Sequence, residues 1–190
     1  MEEIQRKDDL EEYGVVLDYL PTGRSSSVRS EPLAQLLGES KFTLLEVVPK
    51  STEINVEERL YIGKGEREKV ALIRGRILYE NLTEGSKNEL PNAIASIISR
   101  NEQRFVNFFN NASPLNIRMH SLELLPGIGK KHLAAILEAR DEKPFESFKD
   151  LAERVPLLQA PIKLITDRVL LELKGDSRFY ILARPPHRAY

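Results

Sequence analysis

Residues 124–132 read LLPGIGKKH and carry the most specific chemistry in the chain. Apolar residues at helical spacing flank the stretch, with Ile117, Leu122 and Leu125 before it and Leu133, Ile136 and Leu137 after it. That pattern predicts two amphipathic helices joined by a short turn, an αα-hairpin. Pro126 stops the first helix. Gly127 is expected at φ > 0, where a side chain is costly, and Ile128 is expected to tuck between the helices. Gly129, at the start of the second helix, lets an outside group approach the backbone. The first N–H groups of a helix have no intrahelical partner and sit at the positive end of its dipole, so they bind anions. Lys130 and Lys131 stand beside them. Gly127, Ile128, Gly129, Lys130 and Lys131 therefore form a candidate phosphate grip that holds a backbone without reading bases.

Other residues could extend such a grip. The loop PTGRSSSVRSEP (21–32) offers Arg24, Arg29 and four serines between two predicted strands. Tyr61, Tyr79, Lys64, Arg74 and Arg76 are candidates for a nucleic-acid-binding sheet face, although both tyrosines serve equally well as core or rim residues. YIGKGE (61–66) has too few glycines for a nucleotide loop and reads as a β-turn.

Catalytic and metal chemistry find no pattern. The chain has no cysteine, which excludes disulfides, thiol nucleophiles and cysteine-ligated metal sites. Its three histidines, His120, His132 and His187, lack metal-ligand spacing. No Ser/His/Asp grouping stands out, so the expectation is a non-enzyme with no cofactor and no metal.

Elements that must position these residues follow from periodicity. Strands are predicted at 13–20, 41–49, 58–63 and 70–79, the last with Ala71, Ile73, Ile77 and Tyr79 on one face. So many short strands in the first 82 residues predict a small β-barrel, closed or partly open. Residues 83–112 form a connecting helix, with Pro91 suited to a first helical position and Ile94, Ile97, Ile98, Phe105, Phe108 and Phe109 following its period. Short helices are predicted at 116–124, 130–140, 147–154 and 161–173, and FYILA (179–183) as a strand returning to the barrel. The fold class is α+β, with domains at 1–82, 83–112 and 113–190.

Composition agrees with this class. Of 190 residues, 41% are hydrophobic and 30% charged, as in globular proteins. No apolar run approaches the roughly 20 residues of a membrane span. The acidic start MEEIQRKDDLEEYG lacks the apolar core of a signal peptide, so a cytoplasmic location is expected. Net charge is −1, but residues 113–190 carry thirteen bases against ten acids. The modest excess predicts a small electrostatic footprint.

LLPGIGKKHLAAILEAR resembles the helix-hairpin-helix of DNA and RNA repair, recombination and replication proteins. The resemblance implies phosphate contact at Gly127, Ile128, Gly129, Lys130 and Lys131. Such motifs often occur in tandem, and FESFKDLAERVPLLQAPIKLITDRVL (145–170) has the rhythm of a second copy. Its turn at 155–161 lacks glycine, so it reads as a structural mate. Over most of its length the chain also resembles an archaeal family, the domain of unknown function numbered 655. That resemblance rests on GRSSSVRSEP, ERLYIGKGE, ILYENLT, NEQRFVNFFN and LLPGIGKKHL. It implies an OB/S1-like barrel and a nucleic-acid-binding protein acting on RNA before DNA, near translation or ribosome assembly. The competing expectation is a protein-interaction adaptor in a translation or ribosome-associated complex, docking through the hairpin and the Phe-rich helix. A nuclease is the third.

Overall fold

A strand with a bulge starts the chain's order in a computed structural model that describes residues 11–24, 31–50, 52–156, 158 and 160–186. β1 (Tyr13–Leu20), β2 (Leu33–Gly38), β3 (Leu44–Pro49), β4 (Arg59–Tyr61) and β5 (Val70–Arg76) form one antiparallel sheet in the order β4-β1-β2-β3-β5. Register shifts interrupt β1·β2 between Val16 and Asp18, and β3·β5 at two places. Such bulges add local twist and curl a sheet. Its apolar core includes Val16, Ala34, Leu36, Val47, Leu60 and Val70.

Two strand expectations change. LAQLLG is a strand that the sequence pattern did not reveal. Leu, Ala and Gln favour helices in isolation, and all six residues are buried, so no alternation shows. Pairing with both β1 and β3 decides its state. β5 ends at Arg76, and Tyr79–Asn81 is a 3-10 turn, so Ala71, Ile73, Ile77 and Tyr79 do not line one face of a strand. The two register shifts break the alternation: Val70 is buried, Ile73 half-buried and Leu72 exposed.

Gln35, fully buried in β2, explains where the first helix begins. Its side-chain oxygen accepts from the Thr83 N–H (2.9 Å) and the Ser86 hydroxyl (2.7 Å), and its amide donates to the Asn81 carbonyl (3.1 Å). Thr83 Oγ1 accepts the Ser86 N–H at 3.0 Å and donates to Asp18 at 2.5 Å. This capping arrangement starts α1 (Glu84–Arg100). Pro91 is therefore inside α1 rather than at its first position, and costs it one backbone bond. The single helix expected over 83–112 is two. Asn101 turns its side-chain amide onto the Ile97 carbonyl (2.9 Å) and leaves helical geometry, and α2 (Glu102–Asn111) follows.

The segment expected as helix 116–124 is not one. β6 (Pro114–Asn116) and β7 (Met119–His120) form a two-stranded ribbon, followed by a 3-10 turn at Ser121–Leu124. Asn116 Oδ1 accepts the Arg118 N–H at 2.9 Å, a local turn that competes with helix. Ile117, expected in the core, is fully exposed at the ribbon tip. α3 (Lys130–Glu142), α4 (Phe148–Arg154) and α5 (Pro161–Leu173) fall close to expectation. Residues 179–183 form no strand. Instead the buried Glu172 carboxylate accepts the N–H groups of Ile181, Leu182 and Ala183, and the Arg184 N–H reaches the Lys41 carbonyl at 2.8 Å.

The fold is mixed α+β. One compact unit runs to Ala93 and resumes at Leu171, and the other spans Ile94–Leu170, so the divisions fall inside α1 and α5. Among the described residues no helix is long and apolar enough to cross a membrane.

Candidate nucleic-acid interface

His120 anchors the approach to the turn. Its Nδ1 accepts the Leu122 N–H (3.2 Å), while Glu123 accepts the His120 N–H (2.8 Å), a capping box around the 3-10 turn. Burial, and then the nearby Arg140 guanidinium, push the His120 imidazole below its ordinary pKa, which favours the neutral ring that an accepting Nδ1 requires. Leu122 and Leu125 are buried as expected. The Ile128 N–H closes the turn onto the Leu125 carbonyl at 3.1 Å, and the Ile128 side chain is 5% exposed.

Two glycines border that buried isoleucine for different reasons. Gly127 has φ +89°, the left-handed region that favours glycine. Gly129 has φ −98°, which any residue can adopt, and a Cβ there would meet nothing within 4 Å. Both are exposed. Gly129 is the N-cap of α3 and supplies no side-chain acceptor to the helix's first N–H groups.

The lysines are not equivalent. Lys130 Nζ lies 2.7 Å from Glu123 Oε1, although its side chain is 74% exposed. The Lys130 hydrogen bond, and then the His120 N–H, hold the Glu123 carboxyl below the usual carboxylate range. Lys131 is exposed and makes no ion pair with a described residue. An anion at this helix end therefore meets one available lysine and a second already neutralised by a neighbour.

A second turn echoes the first. The Leu158 N–H closes onto the Val155 carbonyl at 2.8 Å, and Leu158 is buried like Ile128. Ala160 takes the left-handed conformation there at φ +53°. α5 then begins with Pro161, which lacks an N–H, so this helix start presents one backbone donor fewer than α3. Arg168, 5% exposed, ties α5 to the first turn through the Leu124 carbonyl.

Elsewhere the expected residues are engaged or outside the described set. Arg24 bonds Glu46 through Nε (3.0 Å) and Nη2 (2.8 Å) and reaches the Asn81 carbonyl at 3.0 Å, so it fastens its loop to the sheet. Arg29 lies outside the described residues. Arg74 pairs with Glu31, and Arg76 donates to the Pro185 carbonyl. The half-buried Tyr61 packs edge-on against Tyr13, and its hydroxyl accepts the Gly65 N–H at 3.0 Å. A Cβ at Gly63 or Gly65 would come within 2.5 or 2.9 Å of that hydroxyl, which explains the glycines of YIGKGE as room for a ring. Tyr79 has Lys87 and Lys174 ammonium groups 5.9 and 5.6 Å from its ring. Among the described residues no cluster of His, Asp or Glu could hold a metal ion.

What sequence reasoning missed is the ribbon tip, where Ile117 and Arg118 are exposed just before His120. Its signal was Asn116, a residue that turns a chain as readily as it sits in a helix.

A family model described as protein of unknown function (DUF655) matches residues 10–184. The chain belongs to this family. It is 43% identical over 177 residues to the uncharacterized protein MJ0038 of Methanocaldococcus jannaschii, covering 92% of this chain and 80% of that protein. The crystal structure of Af1531 from Archaeoglobus fulgidus, also assigned to DUF655, superposes with a TM-score of 0.85 at 46% identity. That match covers 92% of this chain and all of the other. A second DUF655 chain thus has the same mixed α+β fold.

Proposed function

We propose that this DUF655 protein binds nucleic acid, RNA before DNA, by gripping the phosphate backbone at the turn 127–131 without reading base sequence. The observation that carries the reading is the exposed, uncapped start of α3, where Gly129 leaves the backbone open and Lys131 stands beside it. The tandem of turns closed by Leu125 and Val155 supports a helix-hairpin-helix relationship in which the first arm is only a 3-10 turn. The strand order β4-β1-β2-β3-β5 supports an OB-like sheet. Arg24 belongs to the scaffold in this reading, because Glu46 already neutralises it.

Fluorescence anisotropy with single- and double-stranded RNA and DNA tests this. Binding should weaken as salt rises, because phosphate contacts release counterions. A Gly129→Glu, Lys130→Glu, Lys131→Glu variant that keeps its circular dichroism spectrum should lose most of the affinity. Equal binding by that variant sinks the reading.

A second reading, a protein-binding adaptor, is favoured by the ribbon tip, where Ile117 is fully exposed and Leu115 is 39% exposed. An adaptor predicts no salt-sensitive polynucleotide binding.

A further inference from the structure

Residues 113–118, which run through β6 into the turn before β7, are all exposed. Ile117 stands at the tip of this ribbon, wholly in water, and Leu115 is half-exposed beside it. A single apolar side chain on a surface needs no explanation by itself. This one is held out on a fixed base. The Ser113 carbonyl accepts both the N–H (3.1 Å) and the hydroxyl (2.7 Å) of Ser121, and the Ala112 carbonyl accepts Arg140 at 2.8 Å. The Asn116 side chain holds the tip itself through the Arg118 N–H.

Charge narrows what such a point can meet. The Arg118 guanidinium has no partner among the described residues, and no acid occurs between residues 113 and 122. Size narrows it further. A stable protein interface takes about 800 Å² from each partner, whereas the ribbon offers two exposed apolar side chains on strands of three and two residues. A wedge between stacked bases needs only one. Isoleucine is among the side chains that part a base step, and an arginine beside it suits the groove that flanks the step. Position agrees. Ile117 is three residues from His120, a reach of at most about 11 Å. The His120 N–H is bonded to Glu123, which holds Lys130 at 2.7 Å, so the tip lies within about 20 Å of the Lys130 ammonium. That distance is about six nucleotides along one strand.

We propose that Ile117 is a wedge that enters a base step of duplex RNA from the minor groove while the turn 127–131 holds the backbone. The inference rests on the nucleic-acid reading and adds its substrate class, a double helix with a weak step. A-form RNA favours this entry, because its minor groove is wide and shallow, whereas that of DNA is only about 6 Å across. Unstacking costs least where pairing is already imperfect, so a mismatch is the preferred step.

The test uses a short RNA duplex carrying 2-aminopurine beside one mismatch, its fully paired counterpart, and the single strand. Each is titrated with the full chain and read by anisotropy and by 2-aminopurine emission. Wild type should bind the mismatched duplex about tenfold more tightly than the paired one, and emission should rise as the base leaves the stack. Ile117→Ser, at a fully exposed position, should melt as wild type does and keep its affinity for the paired duplex. It should lose both the mismatch preference and the emission rise. Ile117→Leu should keep both. A bound duplex without an emission rise, or an undiminished rise with Ile117→Ser, overturns the wedge and leaves the α3 grip standing. Binding of the single strand alone does the same. Absence of binding to every polynucleotide removes grip and wedge together and leaves the tip to a protein partner.

Discussion

Gly127 and Gly129 separate what the fold needs from what a ligand would need. Gly127→Ala places a Cβ at φ +89°, so it should lower stability by about 1–2 kcal/mol, read in urea unfolding. Gly129→Ala keeps an ordinary φ of −98° and meets no neighbour, so its cost should be confined to the poorer N-cap, within about 1 kcal/mol. A loss of polynucleotide affinity in Gly129→Ala would then report blocked approach rather than a damaged turn, and undiminished affinity would place the contact elsewhere. Glu123 argues the same site from its charge. Glu123→Gln keeps an oxygen to accept the His120 N–H but stops neutralising Lys130. Anisotropy should show affinity rising a few-fold at low salt, with the gain shrinking as salt is added, as for exposed charges. A flat response means that Lys130 does not meet the phosphate. The glycines and lysines were legible because each acts through its own backbone or charge. Glu123 was not, since its ion pair with Lys130 and its bond to the His120 N–H depend on how the chain turns between them.

Three arginines show how elements in the helical unit are joined. Arg140 on α3 donates to the Phe109 (3.1 Å) and Ala112 (2.8 Å) carbonyls at the end of α2. Arg154 on α4 reaches the Ala139 and Lys143 carbonyls at the end of α3, and Arg168 on α5 reaches Leu124 at the end of the 3-10 turn. Each guanidinium reaches carbonyls at the end of a helix or 3-10 turn; Ala139 already accepts the Lys143 N–H, so Arg154 adds a second donor there. Arg154→Lys should destabilise the protein by about 1–3 kcal/mol in thermal or urea unfolding, because one ammonium cannot reproduce the planar fork that serves two carbonyls and stacks on Phe145. An unchanged melting temperature would show that these bonds carry no weight. Periodicity made α3, α4 and α5 legible, since their apolar residues repeat on one face. It failed at 116–124, where Leu122 and Leu125 are buried by a 3-10 turn that imitates a helical spacing over so short a run. It also failed at β2, whose burial on both sides erases alternation.

Charge over the whole molecule is nearly balanced at −1, and many bases of residues 113–190 are committed. Arg140, Arg154 and Arg168 cap helices, while Lys143, Lys149 and Lys163 each lie near an acid on their own stretch of chain. The positive excess read from the sequence therefore overstates what a polyanion would meet, and the salt slope of binding should be shallow. The acids also give stability a two-sided pH dependence. Lys69 holds the Glu58 carboxyl below its ordinary pKa, and the Glu146 N–H, followed by Arg154, does so for Asp150. Their contribution is present above the unfolded carboxylate pKa and is lost as pH falls through the lowered values. Glu89 runs the other way. Burial, and then a hydrogen bond with the Glu57 side chain, raise its pKa, and its Oε1 is buried without a partner. The native state holds that proton more tightly than the unfolded chain, so the benefit is fully present below the unfolded pKa and fades as pH rises through the raised one. Glu89→Gln keeps the shape and removes the titration. Its melting temperature should match wild type near about pH 4 and exceed it near about pH 7, with the gap opening above the ordinary carboxylate range. A gap of constant size across that window would show that Glu89 is not held protonated by the fold.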